Sequence, residues 1–224
     1  MERAIEQQYD RISEKFVDGT KIHNEQSREA YYSVLDFDLE GKRLLDIGCG
    51  DGYDIKRFNE RGAITYGIDS SVELVKLAQE NNPSSDITQG YMESLPYQDS
   101  NFDIVVSKYV LQTSRDLPKT LKEMDRVLKP NGILTYLAVH PIRQFLEKKK
   151  HPKDYFLQEV VKSTFFGGMV TASEPTHTLE EYLNSDFLSK YRITHFQEHP
   201  DFPSSERIGG DNYPCFFVLS AKKL

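Results

Sequence analysis

The run Leu44-Leu45-Asp46-Ile47-Gly48-Cys49-Gly50-Asp51-Gly52 carries a short apolar stretch into glycines at every second position. An apolar run of this length reads as a strand buried on both faces. Glycine permits positive φ and lets a ligand approach bare backbone. Tyr53 to Arg61 has helical character, so the glycines lie at a strand-to-helix turn. In an open α/β sheet such a turn sits at the carboxyl ends of the strands, where ligands bind.

Outward from that turn the pattern repeats. Gly62 to Asp69 reads as a second strand, and Ser70 with Glu73 has the spacing of a capping box before the apolar stripe Leu74, Leu77, Ala78. That helix should stop near Asn81, Asn82 and Pro83, because a proline disfavours helical backbone in its predecessor. Phe102 to Ser107 reads as a strand, Leu117, Leu121, Met124 and Leu128 as a helical stripe, and Ile133 to Val139 as the next strand. Cys215 to Ala221 reads as a last strand, with Tyr191 to Gln197 pairing antiparallel beside it. Alternating strands and helices predict an α/β fold with a mainly parallel, doubly wound sheet. Residues 1–40 read as a helical flap, 41–140 as a cofactor-binding core, 141–177 as a lid after the fifth strand, and 178–224 as a C-terminal helix and strands. All of 1–224 is expected to be one domain.

Composition narrows the function. The 224 residues carry a formal charge of -7, and the pI of 5.4 speaks against a general nucleic-acid binder. Lys148, Lys149, Lys150 and Lys153 form the one candidate basic patch. No segment approaches the ~20 apolar residues of a membrane span, and the N-terminus does not read as a secretory leader. A cytoplasmic protein, monomeric or homodimeric, is expected. Cys49 and Cys215 are too far apart in kind and place for a disulfide framework or zinc site, and no metal is expected.

The turn also indicates its ligand. Asp69 stands 19 residues beyond Gly50, at the strand end where a carboxylate can accept from both hydroxyls of a ribose. A dinucleotide fingerprint would place glycine where Tyr53 stands. Asp46 and Asp51 flank the glycines and would repel a pyrophosphate, whereas they suit a cationic nucleoside such as S-adenosylmethionine.

LLDIGCGDG followed by YGIDSS resembles the first two motifs of class I S-adenosylmethionine-dependent methyltransferases. GYMESLP followed by FDIVVS resembles the third and fourth, and VLKPNGIL resembles the family's LKPGG turn with Asn131 for the first glycine. The resemblance covers residues 40 to 140. It implies a seven-stranded sheet with an antiparallel last strand. It also implies that Asp46 and the Gly48-Cys49-Gly50 backbone sit against the methionine portion, and that Asp69, followed by Ser70, holds the ribose. Met92 would flank the adenine while Glu93 or its backbone faces the adenine amino edge. Ser107 would line the methionine side, and Tyr9 with Asp10 is similar to a Tyr-Asp pair of related small-molecule enzymes whose flap closes over the cofactor.

The implied reaction is methyl transfer to a small-molecule acceptor, with S-adenosylhomocysteine as product. His140, ending the fifth strand, is the candidate general base, and His177 has a weaker claim. Phe145, Tyr155, Phe156, Phe165 and Phe166 of the lid offer aromatic surface to an acceptor. His195-Phe-Gln-Glu-His199 matches H-x-x-E-H, but its flanks read as strand and would splay the two rings. Competing readings are a non-catalytic S-adenosylmethionine-binding protein, an RNA or protein methyltransferase, and a nicotinamide oxidoreductase.

Overall fold

In the computed structural model, which describes residues 8–23, 25–200 and 210–224, the apolar run before the glycines is a central strand, β1 (Arg43–Ile47). β2 (Ile64–Asp69) and β4 (Phe102–Lys108) flank it in parallel. β3 (Asp86–Gln89) forms one edge beside β2, and β5 (Leu128–Val139) runs parallel to β4. β9 (Phe216–Lys223) is antiparallel to both β5 and β8 (Tyr191–His199). The order β3-β2-β1-β4-β5-β9-β8 makes seven strands, mainly parallel, as expected.

Alternation along the strands feeds two cores. Leu45 and Ile47 join Phe102, Val105, Leu121, Met124 and Phe217 on one face. Leu44 faces the other way, with Ile104, Val106, Val218, Phe58, Tyr31 and Leu35. The crossover helices cover these faces: α3 (Tyr53–Asn59) buries Ile55 and Phe58, and α5 (Leu117–Val127) buries Leu121, Met124 and Val127. Between them α4 (Val72–Asn81) buries Leu74, Val75 and Ala78 and ends at Asn82, before Pro83. Before β1 stand α1 (Gln8–His23) and α2 (Glu25–Ser33).

Three local readings are corrected. The cap of α4 is Ser71, whose side chain accepts from the Leu74 amide at 3.2 Å. Asp69 takes the Ser71 amide at 2.9 Å, which draws the turn one residue past Ser70. β3 was hidden because only Ile87 of its four residues is buried. Residues 141–177 are also more regular than expected: after the helical turn α6 (Pro141–Arg143) comes a hairpin of β6 (Val160–Phe165) and β7 (Val170–Pro175). Its buried face presents Val161, Ser163, Ala172 and Glu174, small or polar residues that mask the apolar alternation of a strand.

That hairpin packs on α1. Gln8 bonds both backbone polar groups of Ser173, at 2.9 and 2.7 Å, and the Phe16 and Phe166 rings meet edge to face at 5.6 Å. α7 (Leu179–Tyr182) opens on a capping box between Thr178 and Glu181, and α8 (Ser185–Lys190) leads into β8. Among the described residues no helix is long and apolar enough to cross a membrane.

Candidate cofactor site

The glycine loop leaves β1 with positive φ at Gly48, Gly50 and Gly52. The Gly48 and Cys49 amides donate to Ile68 O at 2.7 and 3.1 Å, and the Gly50 amide donates to Asp69 Oδ2 at 3.0 Å. β1 and β2 thus end in one locked turn. A Cβ on Gly48 would lie 2.1 Å from Val110, so this glycine is required by packing. One on Gly50 would meet nothing within 4 Å; there the loop turns bare backbone to open space.

That space is a cleft of about 1110 Å³ including its mouth, and it gathers Tyr9, Gly48, Cys49, Gly50, Asp69, Ser70, Met92 and Glu93 from the residues singled out in the sequence. Tyr9 reaches it from α1, whose Asp10 accepts from Ser71 Oγ at 2.6 Å and so pins the helix to α4. Burial, followed by the charges of Glu174 and Asp69, pushes the Tyr9 phenol well up, so it stays a neutral donor. The loop bearing Met92 and Glu93 is held by Arg126, which donates to Leu95 O at 3.0 Å and Tyr97 O at 2.7 Å while gripping Glu123 at 2.8 Å. Glu93 itself accepts from Ser114 Oγ at 2.7 Å.

Three singled-out residues are not brought into the cleft. Asp46 is 2% exposed and belongs to the Leu44 face of β1, where burial and the charge of Asp54 push its carboxyl up while Lys108 opposes them. Ser107 is buried, and its hydroxyl donates to Ile47 O at 2.9 Å, tying β4 to β1. His140 is also buried; its Nδ1 accepts from the Ile142 amide at 3.1 Å, its Nε2 lies 2.8 Å from Glu198, and its ring packs on Phe217. Register at the β5–β9–β8 end turns it toward β8 and away from the cleft, and burial pulls its pKa down.

His195 and His199 stand on β8 as read, His199 stacked on Phe216 at 4.8 Å. No His, Cys, Asp and Glu cluster among the described residues has the makings of a metal site. Two lysines of the run are internal bracing, Lys149 bonding Asp154 O and Leu157 O and Lys153 bonding Leu146 O, while Lys150 is exposed. Phe145, Tyr155 and Phe156 pack on one another, Phe165 against Phe166, and none of these five lines the cleft.

Sequence reasoning missed Arg28, Tyr53 and Lys108 in the lining. Arg28 stacks its guanidinium over Tyr53 at 4.3 Å and donates to Thr20 O at 2.8 Å. Its Nε is buried without a partner among the described residues. Lys108 pairs with Asp54, which also accepts from the Tyr32 hydroxyl. Lys108 follows Ser107 at the strand end and was within reach of the sequence; Arg28 sits in no motif.

The lining suits S-adenosylmethionine. It carries the carboxylates of Asp51, Asp54, Asp69 and Glu93 against the two cations Arg28 and Lys108, a balance that favours a cationic ligand. The Tyr53 ring and the guanidinium above it occupy the place where a dinucleotide fold would keep its third glycine.

Comparison with known proteins agrees with this geometry. Residues 45–136 match the family described as methyltransferase domain. The malonyl-[acyl-carrier protein] O-methyltransferase of Serratia marcescens is 33% identical over 96 residues, covering 43% of this chain and 38% of that one. Malonyl-[acyl-carrier protein] O-methyltransferase 1 of Coxiella burnetii is 38% identical over 100 residues, covering 44% and 34%. The chain thus spans little more than a third of the length of these curated relatives. Among solved structures, an S-adenosylmethionine-dependent methyltransferase of Mesorhizobium loti superposes with a TM-score of 0.68 at 20% identity, covering 85% of this chain and 94% of that one. The [4+2]-cyclase SpnF has the same fold, with a TM-score of 0.67 at 20% identity over 98% of this chain and 94% of that one. Residues 45–136 therefore match the methyltransferase domain family, and the chain shares its Rossmann-like fold with solved S-adenosylmethionine-dependent methyltransferases.

Proposed function

We propose that this chain transfers the methyl group of S-adenosylmethionine to a small-molecule acceptor by in-line displacement. The observation that carries the reading is the locked turn of Gly48, Gly50 and Asp69, with bare backbone at Gly50 and a cleft richer in acids than in bases. Asp69 would hold the ribose hydroxyls, while Met92 flanks the adenine and Glu93 faces its amino edge. Arg28, with its orphaned Nε, would take the amino-acid carboxylate. When bound, S-adenosylmethionine supplies a methyl group activated on a sulfonium.

The chain's own part is alignment and exclusion of water, worth as much as ~7 to 11 kcal/mol when reactants are well oriented. α1 and the β6–β7 hairpin, joined by Gln8 and Phe166, would act as one cover over the cleft. A small acceptor is favoured over RNA by the charge of -7 and by the internal use of Lys149 and Lys153. The relatives' printed names concern O-methylation of malonyl-[acyl-carrier protein], which leaves an oxygen as a second acceptor chemistry.

The test is incubation with methyl-labelled S-adenosylmethionine and separate pools of small metabolites, tRNA and protein. Label should enter the small-molecule pool with matching formation of S-adenosylhomocysteine. Label confined to tRNA or protein, or no turnover with any pool, would refute the reading.

A further inference from the structure

Four buried polar atoms, none in the lining of the cleft, have no hydrogen-bond partner among the described residues: Gln112 Oε1, Glu174 Oε2, His177 Nε2 and the Tyr182 hydroxyl. Folded proteins leave few such groups, since each has given up water for nothing. These four belong to one region. Gln144, itself buried, links two of them: its amide nitrogen donates to Glu174 Oε1 at 3.2 Å, and its oxygen accepts from the His177 amide at 3.3 Å. The His177 ring meets that of Tyr182 edge-on, with centroids 5.9 Å apart. β7, which bears Glu174, packs against the turn Leu111–Thr113, which bears Gln112.

The region adjoins the cleft. Val110 and Thr113, close to Gln112 in the chain, line it. The two hydrogen bonds between Gln8 and Ser173 bring Tyr9, another lining residue, alongside Glu174.

The chemistry of the free atoms selects a ligand class. Glu174 Oε1 is already engaged by Ser163 Oγ at 2.5 Å and by Gln144, so Oε2 is the available end. The nearby cations Arg143 and Lys148 are held by Glu147 at 3.0 and 3.6 Å. His177 Nδ1 lies 3.3 Å from Glu181 Oε1, which places its proton there and leaves Nε2 as an acceptor. Gln112 uses its nitrogen on Tyr109 O at 2.6 Å and keeps its oxygen. Three acceptors, one of them a carboxylate, suit the three N–H donors of a primary ammonium. A carboxylate ligand would meet the charge of Glu174, and an alcohol would bring one donor for three acceptors. We propose that Gln112, Glu174, His177 and Tyr182 form the acceptor subsite, and that it takes a small primary amine bound as its ammonium form. The ammonium passes one proton to His177 Nε2 before the freed nitrogen lone pair takes the methyl group and S-adenosylhomocysteine leaves. This rests on the reading of the adjoining cleft as the S-adenosylmethionine site. Burial pushes the Glu174 carboxyl up, and a cation against Oε2 would reverse that push.

The test is calorimetric titration of the whole chain, saturated with S-adenosylhomocysteine, using phenethylamine, 2-phenylethanol and phenylacetate as probes of similar size. Phenethylamine should bind at least tenfold more tightly than the other two, and Glu174→Gln should erase that preference. Tyr182→Phe keeps the ring and deletes an orphaned hydroxyl; it should weaken amine binding severalfold with a thermal midpoint unchanged or raised, and it decides the matter if Glu174→Gln does not fold. An alcohol or carboxylate binding as well as the amine, no binding by any of the three, or a preference unaltered in both variants would overturn the proposal. Saturation with S-adenosylhomocysteine is measured first. Its failure would refute the cleft reading and the subsite together, whereas its success without an amine preference would refute the subsite alone.

Discussion

The Gly50 amide donates to Asp69 Oδ2 at 3.0 Å while Asp69 Oδ1 accepts from the Ser71 amide at 2.9 Å. One carboxylate therefore fixes both the loop leaving β1 and the start of α4, and the same residue lines the cleft. In the proposed reading this structural tie would also be the ribose ligand.

The two glycines of this turn should respond differently to alanine. Gly48→Ala forces a Cβ to 2.1 Å from Val110 and should prevent accumulation of folded protein. Gly50→Ala meets no neighbour, so its direct cost is the ~1 to 2 kcal/mol of a left-handed non-glycine residue. Its Cβ enters the space proposed for the ligand, however, and the thermal shift given by S-adenosylhomocysteine should disappear. Comparison of melting curves with and without that ligand checks both outcomes.

Arg28→Ala should weaken S-adenosylhomocysteine binding about tenfold or more, the effect of losing a charge-assisted hydrogen bond worth ~1.5 to 3 kcal/mol. Binding of 5′-methylthioadenosine, which lacks the amino-acid group, should change little. Equal losses for the two ligands would remove Arg28 from the carboxylate.

Ser71 caps α4 and also donates to Asp10 of α1 at 2.6 Å. Ser71→Ala should cost about 1 kcal/mol in denaturant unfolding, the usual value for a lost N-cap. Because α1 carries Tyr9, the same variant should increase amide exchange in α1. Unchanged exchange there would show that Asp10 does not pin the helix.

The Arg126 guanidinium beside Glu123 holds that carboxyl below its ordinary value of 4.5. A carboxyl depressed in the folded state adds stability that is complete above the unfolded value and is lost as pH falls through the folded one. Stability should therefore decline below about pH 4.5, and Glu123→Gln should flatten that part of the acid limb. Since Arg126 also holds the Leu95 and Tyr97 carbonyls, the variant should loosen the Met92 loop and weaken ligand binding at neutral pH.

Much of the fold was legible because β1, β2, β4 and β5 are continuous apolar runs and the glycine loop follows directly on the first. The same loop announced Asp69, a short-range relation between a turn and the next strand end. His140 was misread because its direction depends on Glu198 of β8, a pairing that distant strands decide. Asp46 is absent from the lining because it is buried, beside the Asp54 and Lys108 that do line the cleft, a depth that strand alternation alone does not reveal. The β6–β7 hairpin was hidden by polar residues on its buried face, above all Glu174 and Ser163. Arg28 left no trace in sequence, since only the packing of α2 against Tyr53 gives it a role.

The most direct measurement is calorimetric titration of the wild-type chain and Asp69→Ala with S-adenosylhomocysteine. A saturable one-to-one isotherm for the wild type, weakened at least tenfold by the substitution, is the result predicted. An absent isotherm, or equal affinity in both proteins, would contradict the claim that the acid ending β2 grips the sugar of a nucleoside held on the Gly50 backbone.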